Sequence, residues 1–354
     1  MLSPDAPLVL LMHGGLDNLS GKTGLAMLRY RHGPIVAVID PAHAGAELAT
    51  LTGIPRPVPV VADINAALQH GPAVAVVGLA PSGGLLPAQM RADVEAALRA
   101  GLSLASGLHA RLADDPAWAD LPLQPDQWIW DLRREPPQLD VATARAAALP
   151  CRRVLAVGSD MAVGKMSACL ELQAAARHHG LDARFVGTGQ AGILISGHGV
   201  ALDAVRVDYA AGAVEAAVLQ AAAGATAETL LLVEGQGSLA HPGSTATLPL
   251  MRGSQPTDLL LVHRACQRHV RTRPGAAAVA IPPLPELIAA NEALAALGRP
   301  DGLRPRVRAI ALNTALLEPE LARRETERLE ALTGLPCADP VRAGADQLLA
   351  ALLA

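Results

Sequence analysis

The run Gly158-Ser159-Asp160-Met161-Ala162-Val163-Gly164-Lys165-Met166-Ser167 has the residue types and spacing of a phosphate loop. Such a loop needs glycines that let successive N–H groups turn inward, a helix N-terminus with its partial positive charge, and a lysine to reach an outer phosphate. An apolar run at Arg153–Val157 precedes it and a helical pattern follows, which is the strand–loop–helix context the motif requires. Lysine is otherwise almost unused: of 29 basic residues only Lys22 and Lys165 are lysines, and both follow a glycine. A compact ammonium fits inside a ring of amides where a planar guanidinium does not. The residue after the lysine is Met166, where a magnesium-binding hydroxyl usually stands, and a thioether does not bind hard magnesium. Ser167 lies about 100° further round the helix. The loop is thus suited to docking a diphosphate without a metal, and no metal ligand set is expected.

Other polar residues follow strand ends, where ligands bind in open parallel sheets. Glu234, in Val233-Glu234-Gly235-Gln236-Gly237-Ser238, could bind magnesium, act as a general base or cap the turn. Thr188 and Gln190 lie in a glycine-rich strand exit that is a candidate substrate loop. Asp208, His241, Arg252 and His263 occupy comparable turns and are each weak alone. Asn313 is suited either to reading an adenine edge or to forming a turn. The N-terminal half holds a competitor, Gly15 to Thr23, with the same Gly-x5-Gly-Lys spacing, and Asp40 ends the next strand as a ribose-binding acid would. That loop reads equally as a ligand loop and as a structural turn.

Positioning these residues calls for two α/β domains. Hydrophobic residues make up 51% of the chain and aromatics only 2%, so the core is built from Ala, Val, Leu and Ile, as in parallel sheets covered by helices. Strands are expected at Leu8–Met12, Ile35–Ile39, Val74–Val77 and Leu102–Ala105, with helices at Thr23–Tyr30, Ile64–His70 and Ala88–Ala100. A second series has strands at Arg153–Val157, Ala183–Val186, Thr229–Val233, Leu259–Val262, Ala277–Ile281 and Val307–Leu312. Its helices are expected at Lys165–His179, Ala213–Ala223, Pro285–Leu297, Glu318–Leu332 and Ala343–Leu353. The expected organisation is a Rossmann-like domain (1–110), a linker rich in proline and tryptophan whose indoles seal a domain junction (111–150), and a P-loop NTPase-like parallel-sheet domain (151–354).

A formal net charge of −4 gives no electrostatic footprint for nucleic acid, and the arginines of 264–273 have no aromatics among them. Four cysteines without Cys-x-x-Cys spacing point away from disulfide or zinc frameworks. With no apolar stretch of membrane length, the expectation is a cytoplasmic protein acting on small molecules, with a homo-oligomer left open.

The blocks 158–165 and 233–237, with Asn313 after its strand, resemble dethiobiotin synthetase-type P-loop proteins. More closely, almost the whole chain resembles a two-domain family long labelled as of unknown function, in which D-glutamate N-acetyltransferases have been identified. The matching blocks are 158–167, 187–192, 233–239 with His241-Pro242, 253–256 and 311–314, and the Lys165-Met166 pair is part of the match. Residues 244–252 and 264–273 depart from the family pattern.

The resemblance implies acetyl transfer from acetyl-coenzyme A to D-glutamate or a related amino acid. Lys165 and residues 158–167 would hold the phosphates, Glu234 or Asp208 would be the base, and His241, Arg252 and His263 would contact the acceptor or oxyanion. Two alternatives remain: a ligase using ATP with magnesium, and a non-enzymatic nucleotide- or coenzyme A-binding protein.

Overall fold

The computed structural model describes residues 2–81, 83–118, 120–273 and 275–354. They form two compact units, one of residues 1–134 with 190–201 and one of residues 135–189 with 202–354.

The first unit is a six-stranded all-parallel sheet. Its strands are β1 (Leu8–Leu11), β2 (Ile35–Ile39), β3 (Val60–Val61), β4 (Val74–Val77), β5 (Ser103–Ser106) and β6 (Ile129–Asp131), in the order β3-β2-β1-β4-β5-β6. That order reverses direction between β1 and β4, which makes the unit Rossmann-like. Helices α1 (Lys22–Tyr30), α2 (Leu48–Thr52), α3 (Ile64–Leu68) and α4 (Arg91–Arg99) connect them. The central strands β1 and β4 are buried along their full length, as strands covered on both faces must be.

The stretch 111–150 is not simply a linker. Ile129–Asp131 is the edge strand of the first sheet, and Trp118 lies in that unit's core with its indole N–H donating to the Leu112 carbonyl. The tryptophan-rich segment contributes apolar surface and a strand edge to the first unit, a role that proline content alone conceals. Trp128 and Trp130 pack edge to face beside it.

The second unit is also a six-stranded parallel sheet. It contains β7 (Arg152–Gly158), β8 (Ala183–Val186), β9 (Leu230–Val233), β10 (Asp258–Arg264), β11 (Arg306–Asn313) and β12 (Cys337–Ala338), ordered β12-β11-β10-β7-β9-β8. Its helices are α5 (Lys165–His178), α7 (Ala210–Ala221), α8 (Thr247–Ser254), α9 (Leu284–Ala295), α10 (Pro319–Thr333) and α11 (Asp346–Leu353). Helix α5 ends in Arg177, whose charge opposes the helix dipole, and His178, and Gly180 closes it at φ +77°.

Helix α6 (Gln190–Ser196) leaves this run and belongs to the first unit, where it packs on α1 and the buried Arg31 donates to the Leu194 carbonyl. The expected strand at Ala277–Ile281 does not form. Val279 and Ile281 pair only with 268–270 in a short antiparallel ribbon, and β11 takes the place beside β10. Among the described residues no helix is long and apolar enough to cross a membrane.

Candidate active site

The C-terminal ends of five strands place the chemistry in a row. Register pairs Asn313 of β11 with Arg264 of β10, Val262 of β10 with Gly158 of β7, and Leu155 of β7 with Val233 of β9. Glu234 directly follows β9, and Gly187-Thr188 follows β8. Along the sheet edge the order is therefore Asn313, Arg264, the phosphate loop, Glu234, Thr188.

The loop turns back over the strand it leaves. Ala162 has φ +54° and Gly164 φ +113°, and Gly164 is the residue from which α5 starts. The N–H groups of Ala162, Val163 and Gly164 donate to no protein acceptor among the described residues, while Met161 N–H is taken by its neighbour Asp160. Three successive free N–H groups at a helix N-terminus form an anion cradle. Lys165 folds into it: the side chain is buried, Nζ donates to the Asp160 carbonyl at 2.9 Å, and a Cβ on Gly158 would stand 2.7 Å from Nζ. A Cβ on Gly235 would lie 1.6 Å from the Ala156 carbonyl and 2.9 Å from Lys165 Cδ, so that glycine lets the β9 exit approach β7 and the lysine stem. Burial pushes Lys165 down to about 8, against the attraction of Asp160 and Glu234.

Glu234 faces the same ammonium. Its Oε2 accepts from the N–H groups of Thr188 (2.8 Å) and Gly189 (3.2 Å), and Oε1 accepts no hydrogen bond among the described residues. Burial raises its carboxyl to about 7, held from rising further by those two bonds and by Lys165. A carboxylate near neutrality with one oxygen uncommitted is suited to taking a proton. Thr188 is a positioning residue here: its hydroxyl donates to the Glu234 carbonyl at 2.9 Å, and its own carbonyl accepts from Gln236. Cys169, one turn behind Lys165, is buried with its thiol toward the Val233 carbonyl, and burial raises its pKa far out of nucleophilic range.

Several expected residues support this arrangement and do not enter it. Ser159 pairs with His263 (Oγ to Nδ1, 2.8 Å), and burial pushes His263 down to about 4, so the ring is a neutral brace under the loop. His241 accepts from Gly243 N–H on Nδ1, which makes Nε2 the protonated nitrogen that donates to the Arg271 carbonyl at 2.9 Å. Both ring nitrogens are spent on backbone. Asn313 likewise commits its amide, Nδ2 to the Val163 carbonyl and Oδ1 from Ala315 N–H, and so ties β11 to the phosphate loop.

Three expected residues are not gathered at all. Asp208 is exposed in a short 3-10 turn (Val207–Tyr209), where its carboxylate keeps its hydration and acts on Arg206. Arg252 is exposed on α8. Gln190 starts α6 and falls in the other unit. Met166 and Ser167 occupy the first turn of α5 and are half-buried.

Between the loop's Met161 and Gln236, two residues after Glu234, opens a cleft of ≈ 300 Å³ whose walls also include Leu202, Asp203, Ser244 and Pro249. That is the lower end of small-ligand sites. Sequence reasoning passed over Gln236 and Asp203. Gln236 was nonetheless visible between the two glycines after Glu234, whereas nothing local marks Asp203. No group of three or more His, Cys, Asp and Glu side chains is placed to hold a metal ion among the described residues.

Family comparison accords with this architecture. Residues 140–349 match the model of the C-terminal P-loop domain of the domain-of-unknown-function family DUF1611, and residues 41–135 match its Rossmann-like N-terminal domain. The chain belongs to the DUF1611 family. A crystal structure of a DUF1611 family protein from Anabaena variabilis ATCC 29413 is 52% identical and covers 99% of both chains at a TM-score of 0.90. Two relatives carry the name D-glutamate N-acetyltransferase. The one from Pseudoalteromonas sp is 36% identical over 279 residues, 78% of this chain and 80% of the relative. The one from Tritonibacter scottomollicae is 33% identical over 351 residues, 99% of each.

Proposed function

We propose that this protein is an N-acetyltransferase that moves the acetyl group of acetyl-coenzyme A to the amine of D-glutamate or a related amino acid. The observation that carries the reading is the pairing of a buried Lys165 inside an anion cradle with a Glu234 whose carboxyl titrates near neutrality. The names of the two relatives supply the acceptor class. Met166 in the magnesium position fits a donor held through its diphosphate and not one whose phosphoryl group is transferred.

Lys165 and the N–H groups of 162–164 bind the diphosphate of coenzyme A. The thioester supplies the acetyl group: a C–N bond forms, the C–S bond breaks, and the sulfur takes the proton that the newly bonded nitrogen sheds, so that coenzyme A leaves as the thiol. Glu234 removes a proton from the acceptor's ammonium so that its nitrogen has a free electron pair. Thr188 and Gly189 hold that carboxylate in place through their N–H groups. The cleft beside Gln236 receives the acceptor.

Release of coenzyme A thiol, followed with a thiol reagent, tests the reading with D-glutamate, L-glutamate and other amino acids as acceptors. D-glutamate-dependent release is expected, and Glu234→Gln lowers kcat by about 10²- to 10⁴-fold while acetyl-coenzyme A still binds. No release with any amino acid overturns the proposal.

A further inference from the structure

Strand β10 lies between the phosphate loop and Asn313, and it ends in Arg264, in register with Asn313. The segment that follows is fastened to the loop from several directions. Asp160 Oδ2 accepts from Gln267 Nε2 at 2.6 Å and from Arg271 N–H at 2.8 Å. His241 Nε2 donates to the Arg271 carbonyl. Arg264 Nη2 donates to the Ala162 carbonyl at 2.7 Å.

These contacts use Arg271 only through its backbone and Arg264 only through one nitrogen. Arg264 Nε is buried without a partner, and neither arginine has an ion pair among the described residues. Asp160 holds the Arg271 backbone and the Ala162 carbonyl holds Arg264, so both arginines issue from beside the anion cradle, and burial together with the positive charge of Arg271 lowers the pKa of Arg264, partly offset by Asp160. Holding like charges together costs free energy that a bound dianion would recover.

We propose that Arg264 and Arg271 form a second phosphate subsite, which takes the 3′-phosphate of the adenosine in coenzyme A. This rests on the reading of the donor as a coenzyme A thioester. The placement favours a phosphate on the ribose. The subsite stands on the β11 side of the loop, whereas Lys165 and Glu234 attract one another on the β9 side, so a phosphate held by the arginines is set apart from one held by Lys165. A phosphate monoester carries nearly two charges at neutral pH and suits paired guanidinium groups.

Calorimetric titration with coenzyme A, dephospho-coenzyme A, ATP and ADP tests the assignment on the full chain. The wild type binds coenzyme A about tenfold or more tightly than dephospho-coenzyme A, and that ratio falls toward about twofold in Arg271→Ala and in Arg264→Gln. Because Arg271 is exposed, its variant keeps the fold where Arg264→Gln disturbs the loop. Equal wild-type affinity for coenzyme A and dephospho-coenzyme A overturns the subsite and leaves the acetyltransferase reading standing. A ratio that survives in Arg271→Ala overturns it as well, as does a variant that lowers the ATP-to-ADP ratio instead, which reassigns the arginines to a γ-phosphate. Failure of both coenzyme A forms to bind overturns the donor reading and the subsite with it.

Discussion

Two loops in this chain share a Gly-x5-Gly-Lys spacing, and the fold gives them opposite settings. In the loop ending at Lys165 the ammonium is buried, the glycines make room for it, and three N–H groups stay open among the described residues. In the loop ending at Lys22 the lysine is exposed, and the loop's ends are closed by its own residues. Asn18 accepts from Ser20 N–H and donates to the Gly14 carbonyl, and Gly15 and Gly21 donate to Met12 and Asn18 carbonyls. A Cβ on Gly21 would lie 1.9 Å from the Gly15 carbonyl, and one on Gly15 2.4 Å from Leu79 Cδ2. Glycine in the first loop permits chain-on-chain packing. In the second it permits a lysine to fold over a strand end. Spacing alone cannot tell these apart, since both need a missing Cβ.

The lysines offer the sharpest way to break the contrast. Lys165→Ala is expected to weaken acetyl-coenzyme A binding by about 100-fold in calorimetry, the worth of a charge-assisted contact, and Lys22→Ala by less than about twofold. The reverse ranking would remove the distinction. Alanine at the glycines should separate the loops by observable. Gly21→Ala costs about 1–3 kcal/mol in urea unfolding from forced overpacking, with donor affinity unchanged in the fraction that folds. Gly158→Ala, which displaces Lys165 Nζ, is read chiefly as lost donor affinity.

The pH profile sharpens the second loop further. As the proposed base Glu234 must be deprotonated, so kcat/KM is expected to rise through about 7, and as the proposed phosphate ligand Lys165 must be charged, so it is expected to fall above about 8. Each limb changes about tenfold per pH unit. In Glu234→Gln the acidic limb disappears. The asparagines give the smallest effects. Asn313→Ala loosens the phosphate loop and weakens donor binding by about three- to tenfold, while Asn18→Ala costs about 0.5–1 kcal/mol in unfolding and leaves binding alone.

Much of this was legible in the residues. Apolar runs spaced by helical patterns located the four central strands of each sheet, because strands buried on both faces carry continuous hydrophobic sequence. The edge strands Val60–Val61, Ile129–Asp131 and Cys337–Ala338 escaped notice because two or three residues carry no period. Helix α8, with Pro249 inside its first turn, also lacks a clear signature. Among site residues, Lys165 and Glu234 were marked by their glycines and strand ends. His241, His263 and Asn313 carried ligand-like chemistry in sequence, yet their hydrogen-bonding groups are spent on the protein itself.

The sequence by itself determined two parallel sheets, the phosphate loop on the second, and a lysine and a glutamate each at a strand exit, because periodicity and glycine placement are local properties. Only the tertiary structure decided which lysine is buried, which oxygen of Glu234 is left open, and that Asp160 fastens the arginine segment 111 residues away. Burial and hydrogen-bond partnership are set by whatever the fold brings alongside, and in a parallel sheet each strand's neighbours come from distant crossovers.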